Sequence, residues 1–118
     1  MSDPTAPRHD SFEQRLRAER ATLTKAGVDT RAARAPVQLD QQTVGRLSRM
    51  DAMQVQAMDR AQEARRQTRI RMIDDALKRI ESGDFGACVS CGEEILPARL
   101  EGDPAVPVCI DCARGADT

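Results

Sequence analysis

From about Asp40 to Ser82 the chain carries no proline and one glycine, Gly45. Near the far end Ile70, Ile73, Leu77 and Ile80 recur at intervals of three, four and three, the spacing of a coiled-coil seam. Toward the near end Val44, Leu47, Met50, Val55 and Met58 continue an apolar side less regularly. The middle, RAQEARRQTRIR, has little to bury. The pattern predicts a long helix over 40–82, about 65 Å at 1.5 Å per residue, stopped by Gly83. Gly45 leaves a second reading open, in which 40–50 is a separate piece and the continuous helix begins near Asp51.

Upstream, Phe12, Leu16 and Leu23 fall on one helical stripe. A first helix is expected to start at Asp10 or Ser11, both good N-caps, and to stop at Gly27. The stretch VDTRAARAPVQL, residues 28–39, has no clean period, and Pro36 disfavours helix at Ala35. It reads as a connection with a helical turn around Thr30–Arg34. Asp40 is placed to cap the helix that follows. A long exposed helix is not stable alone in water, so the first helix is expected to fold back on it. The fold class is mainly α: an antiparallel helical hairpin over 10–83, its apolar stripe forming the seam rather than a partner groove. Residues 1–9, with the lone His9, read as a solvated tail.

Composition limits the core. Among 118 residues there are two phenylalanines, no Trp and no Tyr, and 31% are charged. Aromatics carry the largest buried area per residue, so this composition is poor material for a compact globule and suits exposed helices plus a locally stapled module. The staple is legible in CVSCGEEILPARLEGDPAVPVCIDC, which holds every cysteine. Cys88 and Cys91 form one C-x-x-C pair, Cys109 and Cys112 another. Each pair is a tight turn that brings two thiolates to one side, and Gly92 suits the first turn. Two such turns complete a tetrahedral four-sulfur site, which zinc prefers. Iron–sulfur ligation or two redox-active pairs are the alternatives; no βαβ pattern supports the latter. One structural Zn²⁺ is expected, with no position open to substrate. Its binding would be folding energy, on the order of 10 kcal/mol, for a small zinc-ribbon-like module over 84–114. The helices are expected to owe little to it. Residues 115–118 read as a short tail.

Charge is lopsided although the net is −1. Residues 41–80 carry nine Arg/Lys against five acids, whereas 81–118 carry two Arg against eight acids. No N-terminal signal is visible and no apolar run approaches a membrane span. A cytoplasmic protein is therefore expected, where thiols stay reduced. The single histidine lies in the tail and no nucleophile–base pair is legible, so an enzyme is not expected.

The long helix followed by DFGACVSCGEEI…ARL…P…CIDCA resembles the bacterial DksA/TraR family of C4 zinc-finger transcription factors. Asp84, Phe85, Gly86, Cys88, Cys91, Gly92, Ile95, Arg99, Leu100, Pro104, Cys109 and Cys112 carry the match, which covers about 81–112 and the helix before it. The resemblance implies a monomer that binds RNA polymerase rather than DNA. The zinc end would dock at the rim of the secondary channel and a coiled-coil tip would reach inward, with ppGpp acting jointly with the polymerase. The family's tip motif D-x-x-D-x-A does not occur here. Counting back from Cys88 puts Asp51 nearest the tip; matching on the preceding proline puts Pro36 and Asp40 there. Either leaves one acid. The chain stops six residues after Cys112, so a short family member lacking most of the C-terminal helix is expected.

Two rival functions remain. A zinc-ribbon nucleic-acid binder would use the arginines of 60–71 on phosphate, but the zinc end is acidic and only Phe85 is there to stack on bases. A zinc-stapled adaptor for another protein is the second.

Overall fold

The computed structural model describes residues 6–34 and 46–115. In chain order these form α1 (Ala6–Asp29), α2 (Arg31–Arg34), α3 (Arg46–Ser82), α4 (Pro97–Gly102) and α5 (Ile110–Gly115). Among the described residues there is no strand, only an isolated antiparallel bridge between Ala87 and Glu94. The molecule is a rod of 72 × 35 × 20 Å. Most of that length is α3, whose 37 residues rise about 55 Å.

α1 runs antiparallel to α3. Leu16 packs with Ile73 and Ala76 near one end, and Gly27 faces Glu63 toward the other. The expected seam forms here: Ile70 and Ile73 are buried, and Leu77 and Ile80 pack beside them. α3 stops as expected. Gly83 adopts φ +85°, its N–H reaches Ile80 O at 3.3 Å, and the Asp84 N–H reaches Arg79 O at 2.8 Å. That double closure is the Schellman stop, which needs a left-handed residue that glycine alone adopts freely.

The apolar residues fall into two clusters, and neither belongs to the hairpin alone. Leu16, Ile73 and Ala76 enclose Ala105 of the finger. Phe12 joins Phe85, Cys88, Ile95 and Leu100, with Val106, Val108, Cys109 and Cys112 around them. The two phenylalanine rings sit 5.6 Å apart and tilted by 47°. Each buried ring contributes roughly 1.5–3 kcal/mol. The expectation that the helices owe little to the zinc module is therefore corrected: the start of α1 is seated in the module's own core.

Four other expectations change. α1 opens at Ala6, so residues 6–9 are helical rather than tail; Pro7 fits in a first turn, where its missing N–H has no intrahelical partner. Gly27 does not stop α1, which continues to Asp29. α3 is continuous from Arg46 through Asp51, so no helix begins at Asp51. Finally, the seam does not extend along the near half of α3: Met50, Val55 and Met58 are 54%, 58% and 63% exposed. α1 ends opposite Glu63, and no part of it remains to cover that half. The expectations for Pro36, Asp40, Val44 and Gly45 lie outside the described residues.

Candidate metal centre

The finger starts directly after the α3 stop. Gly86, at φ +96°, turns the chain so that its carbonyl accepts the Ile95 N–H at 2.7 Å. The Cys88 N–H donates to Glu93 O at 2.8 Å and the Gly92 N–H to Cys88 O at 2.9 Å, folding CVSCG into a knuckle. Gly92 takes φ +78° there, as the sequence suggested. The Val89 N–H donates to Pro107 O at 2.9 Å, which draws the first knuckle toward the second. α4 fills the space between the pairs, with Pro at its start and Leu100 buried beneath it. Arg99 donates to Val108 O at 3.0 Å and holds the segment that leads into Cys109. α5 carries Cys112 back over the site.

All four expected sulfurs converge. The Sγ atoms of Cys88, Cys91, Cys109 and Cys112 lie within 4.8 Å of one another. Cys91 and Cys109 are 3.8 Å apart. Four sulfurs at about 2.3 Å from a central Zn²⁺ have tetrahedral edges of about 3.8 Å, so one ion fits. The Glu93 N–H points at Cys91 Sγ (3.5 Å) and the Cys112 N–H at Cys109 Sγ (3.4 Å), the donors that stabilise metal-bound thiolate.

The protons argue for a cation as well. Burial alone would raise the Cys88 thiol, but the backbone N–H groups of Cys109, Cys91 and Ser90 outweigh it and hold it down at about 6. Cys112 goes the other way, pushed up to about 12 by the neighbouring Cys109 and Cys88 thiols. The Glu93 N–H pulls Cys91 down, but burial and the adjacent thiols win and raise it. Four crowded thiols cannot all ionise against one another. A dication among them removes the conflict by turning all four into ligands. With four thiolates bound, no coordination position is left for water or substrate.

Residues 83–117 match the sequence profile of the prokaryotic dksA/traR C4-type zinc finger. Residues 83–117 are thus similar to the C4-type zinc finger of the DksA/TraR proteins. A 48-residue segment is 48% identical to the RNA polymerase-binding transcription factor DksA of Escherichia coli K12, and to that of Salmonella typhimurium, covering 41% of this chain and 32% of each relative. The DksA of Haemophilus influenzae is 44% identical over the same length. The matched segment thus spans about a third of these curated relatives. The fold likeness is wider. The structure of DksA2 from Pseudomonas aeruginosa superposes with a TM-score of 0.75 over 99% of this chain and 91% of that one, at 21% identity. That places the DksA/TraR-type finger on the same hairpin architecture.

Of the two candidate tip acids, Asp40 lies outside the described residues. Asp51 is exposed on α3, five residues after Arg46. It sits in the helix interior rather than at a cap. Sequence reasoning missed a charged joint between finger and hairpin. Arg69 holds Glu19 of α1 (2.6 and 3.1 Å) and Asp103 (2.8 and 3.1 Å) together. Nothing in local periodicity marks such a three-way contact, since its members are 50 and 34 residues apart.

Proposed function

We propose that this protein is a bacterial transcription regulator that binds RNA polymerase, with its hairpin entering the secondary channel and its zinc finger docking at the rim. One observation carries the reading: a dksA/traR-type finger at one end of a 72 Å rod whose architecture is that of DksA2. Cys88, Cys91, Cys109 and Cys112 are its four zinc ligands, and the metal is structural. The relatives are named as transcription factors rather than enzymes, and the closed four-thiolate site agrees with a non-enzymatic role.

In this reading the exposed near half of α3 is the reaching arm, and Asp51 and Asp40 are the candidate acids for its tip. The protein acts as a cytoplasmic monomer, with ppGpp bound jointly with the polymerase. No described helix is long and apolar enough to cross a membrane.

The nucleic-acid alternative loses two of its five arginines. Arg66 is paired with Glu63 and Arg69 with Glu19 and Asp103, which leaves Arg60, Arg65 and Arg71 for phosphate. A pull-down with core RNA polymerase, run beside a salt-dependent DNA-binding assay, tests the proposal. Retention of polymerase subunits without DNA affinity is expected. Salt-sensitive DNA binding without polymerase would replace this reading with the nucleic-acid one, and binding to neither leaves the adaptor.

A further inference from the structure

Gly27 lies inside α1, where glycine costs about 1 kcal/mol relative to alanine. It does not end the helix, so its lack of a side chain serves something else. A Cβ at position 27 would stand 2.9 Å from Glu63 Oε1 and 3.1 Å from Oε2. Glycine here lets a carboxylate of α3 lie against the backbone of α1.

That carboxylate is well held. Glu63 accepts from Gln67 Nε2 at 3.1 Å. It pairs with Arg34 at 3.0 Å and with Arg66 at 3.3 Å. All three charged side chains are mostly covered, with 16% of Glu63 and 18% of each arginine exposed. The Gln67 amide first, then the two guanidinium groups, keep Glu63 below the usual carboxylate range against the effect of burial. Arg34 does more than neutralise. Its other nitrogen donates to Gly27 O at 2.8 Å, one of the carbonyls at the end of α1. It also donates to Thr30 Oγ1 at 2.7 Å, and that hydroxyl in turn donates to Ala26 O at 2.8 Å. One guanidinium therefore ties together the end of α1, the turn into α2, and α3.

The place of this cluster in the fold is telling. Among the ion pairs joining α1 or α2 to α3 within the described residues, it lies farthest from the finger. Beyond it, α3 continues for 17 residues toward Arg46, a rise of about 25 Å, with Met50, Met53 and Met58 exposed. An apolar pair would glue two helices at such a point, but it would not set a direction. A carboxylate met by three donors of fixed geometry does.

We propose that Gly27, Arg34 and Glu63 form a latch that pins α2 to α3 and sets where the chain leaves the hairpin, making Glu63 a positioning residue for the arm. The latch stands on geometry alone; its service to the arm rests on the polymerase function proposed above.

The experiment uses the zinc-loaded full chain. Glu63→Gln keeps the shape and removes both ion pairs. Gly27→Ala sets a methyl group 2.9 Å from Glu63 Oε1, so the carboxylate must move off the α1 backbone. Arg34→Gln breaks the same contact from the other side while leaving α3 untouched, and serves if either of the first two fails to fold. Amide hydrogen exchange over 28–34 is expected to quicken about tenfold in Glu63→Gln and Arg34→Gln, and less in Gly27→Ala, where the gain in helix propensity offsets part of the loss, with 84–112 unchanged. Bound to core polymerase with wild-type affinity, the variants are expected to have a reduced transcriptional effect. Unchanged exchange over 28–34 in all three overturns the latch. Quickened exchange with a full transcriptional effect at equal affinity overturns its positioning role. If the wild type itself does not bind polymerase, the functional reading falls, and the exchange data alone decide the latch.

Discussion

Arg69 of α3 grips Asp103 at the end of α4 through two nitrogens, at 2.8 and 3.1 Å, while the same guanidinium holds Glu19 of α1. Asp103 also accepts the Ala105 N–H at 3.0 Å, and Ala105 is buried in the hairpin cluster. Charge therefore orients the finger where apolar contact seats it. The side chains are 26% and 36% exposed, so solvent discounts the pair. Asp103→Asn keeps the Ala105 contact and is expected to lower stability by about 1 kcal/mol. Arg69→Met leaves two carboxylates facing each other and is expected to cost about 2 kcal/mol. Urea unfolding of the zinc-loaded protein measures both, and equal midpoints for wild type and Arg69→Met would refute the joint.

Acid should act through the same carboxylate. The Arg69 guanidinium, aided by the Ala105 N–H and opposed by burial, holds the Asp103 carboxyl below its ordinary value. A group depressed on folding adds stability above its unfolded pKa, about 3.9, and loses it as pH falls through the lower folded value. Glu63 is depressed in the same direction, so the comparison with Asp103→Asn isolates the Asp103 part. Between about pH 5 and pH 2 the wild type is expected to lose more stability than Asp103→Asn, the two curves converging at the acid end.

Metal removal should reach further than the finger. One Zn²⁺ per chain is expected by elemental analysis. In Cys91→Ser, or after chelation, the cluster of Phe85, Cys88, Ile95 and Leu100 loses its frame, and Phe12 loses its seat. Exchange protection should fall over 84–112 and also over 10–20. A metal-free protein with both segments still protected would show that zinc does not hold this end together.

Gly83→Ala isolates a backbone effect. A Cβ there meets nothing within 4 Å, but φ is +85°. The expected cost is about 1–2 kcal/mol from the left-handed conformation alone, read as a shifted unfolding midpoint with the same zinc content.

The tip is tested by charge removal. Asp51 lies in the helix interior and makes no cap, so Asp51→Asn should leave the melting temperature within a degree or so, in line with small effects at exposed sites. If Asp51 or Asp40 acts inside the polymerase, its Asn variant loses transcriptional effect at unchanged polymerase affinity. Wild-type regulation by both variants would mean that an acidic tip plays no part.

What the sequence disclosed was local. Cys88, Cys91, Cys109 and Cys112 could be assigned because two tight turns fix their own geometry, and Gly83 because a helix stop is a one-residue event. Ile70 and Ile73 showed their face through periodicity. Gly27 was misleading: the residue type that ends helices also admits close neighbours, and only the position of Glu63, 36 residues on, tells which. Met50 and Met58 looked like seam because an apolar side does not reveal whether its partner is long enough to cover it. Phe12 gave no sign that its partner was Phe85 rather than the seam of α3.

That last contact also orders events in time. Phe12 and Phe85 are 73 residues apart in the chain. At synthesis rates of 5–20 residues per second, Phe12 is made roughly 4–15 s before the ring it packs on, and longer before Leu100 and the second pair of thiols. Leu16 can pack on Ile73 and Ala76 as soon as the third helix is made, but Phe12 waits for the finger cluster. A nascent chain thus carries Phe12 without its packing partners until the finger is made, so this part of the first helix is completed by residues synthesised long after it.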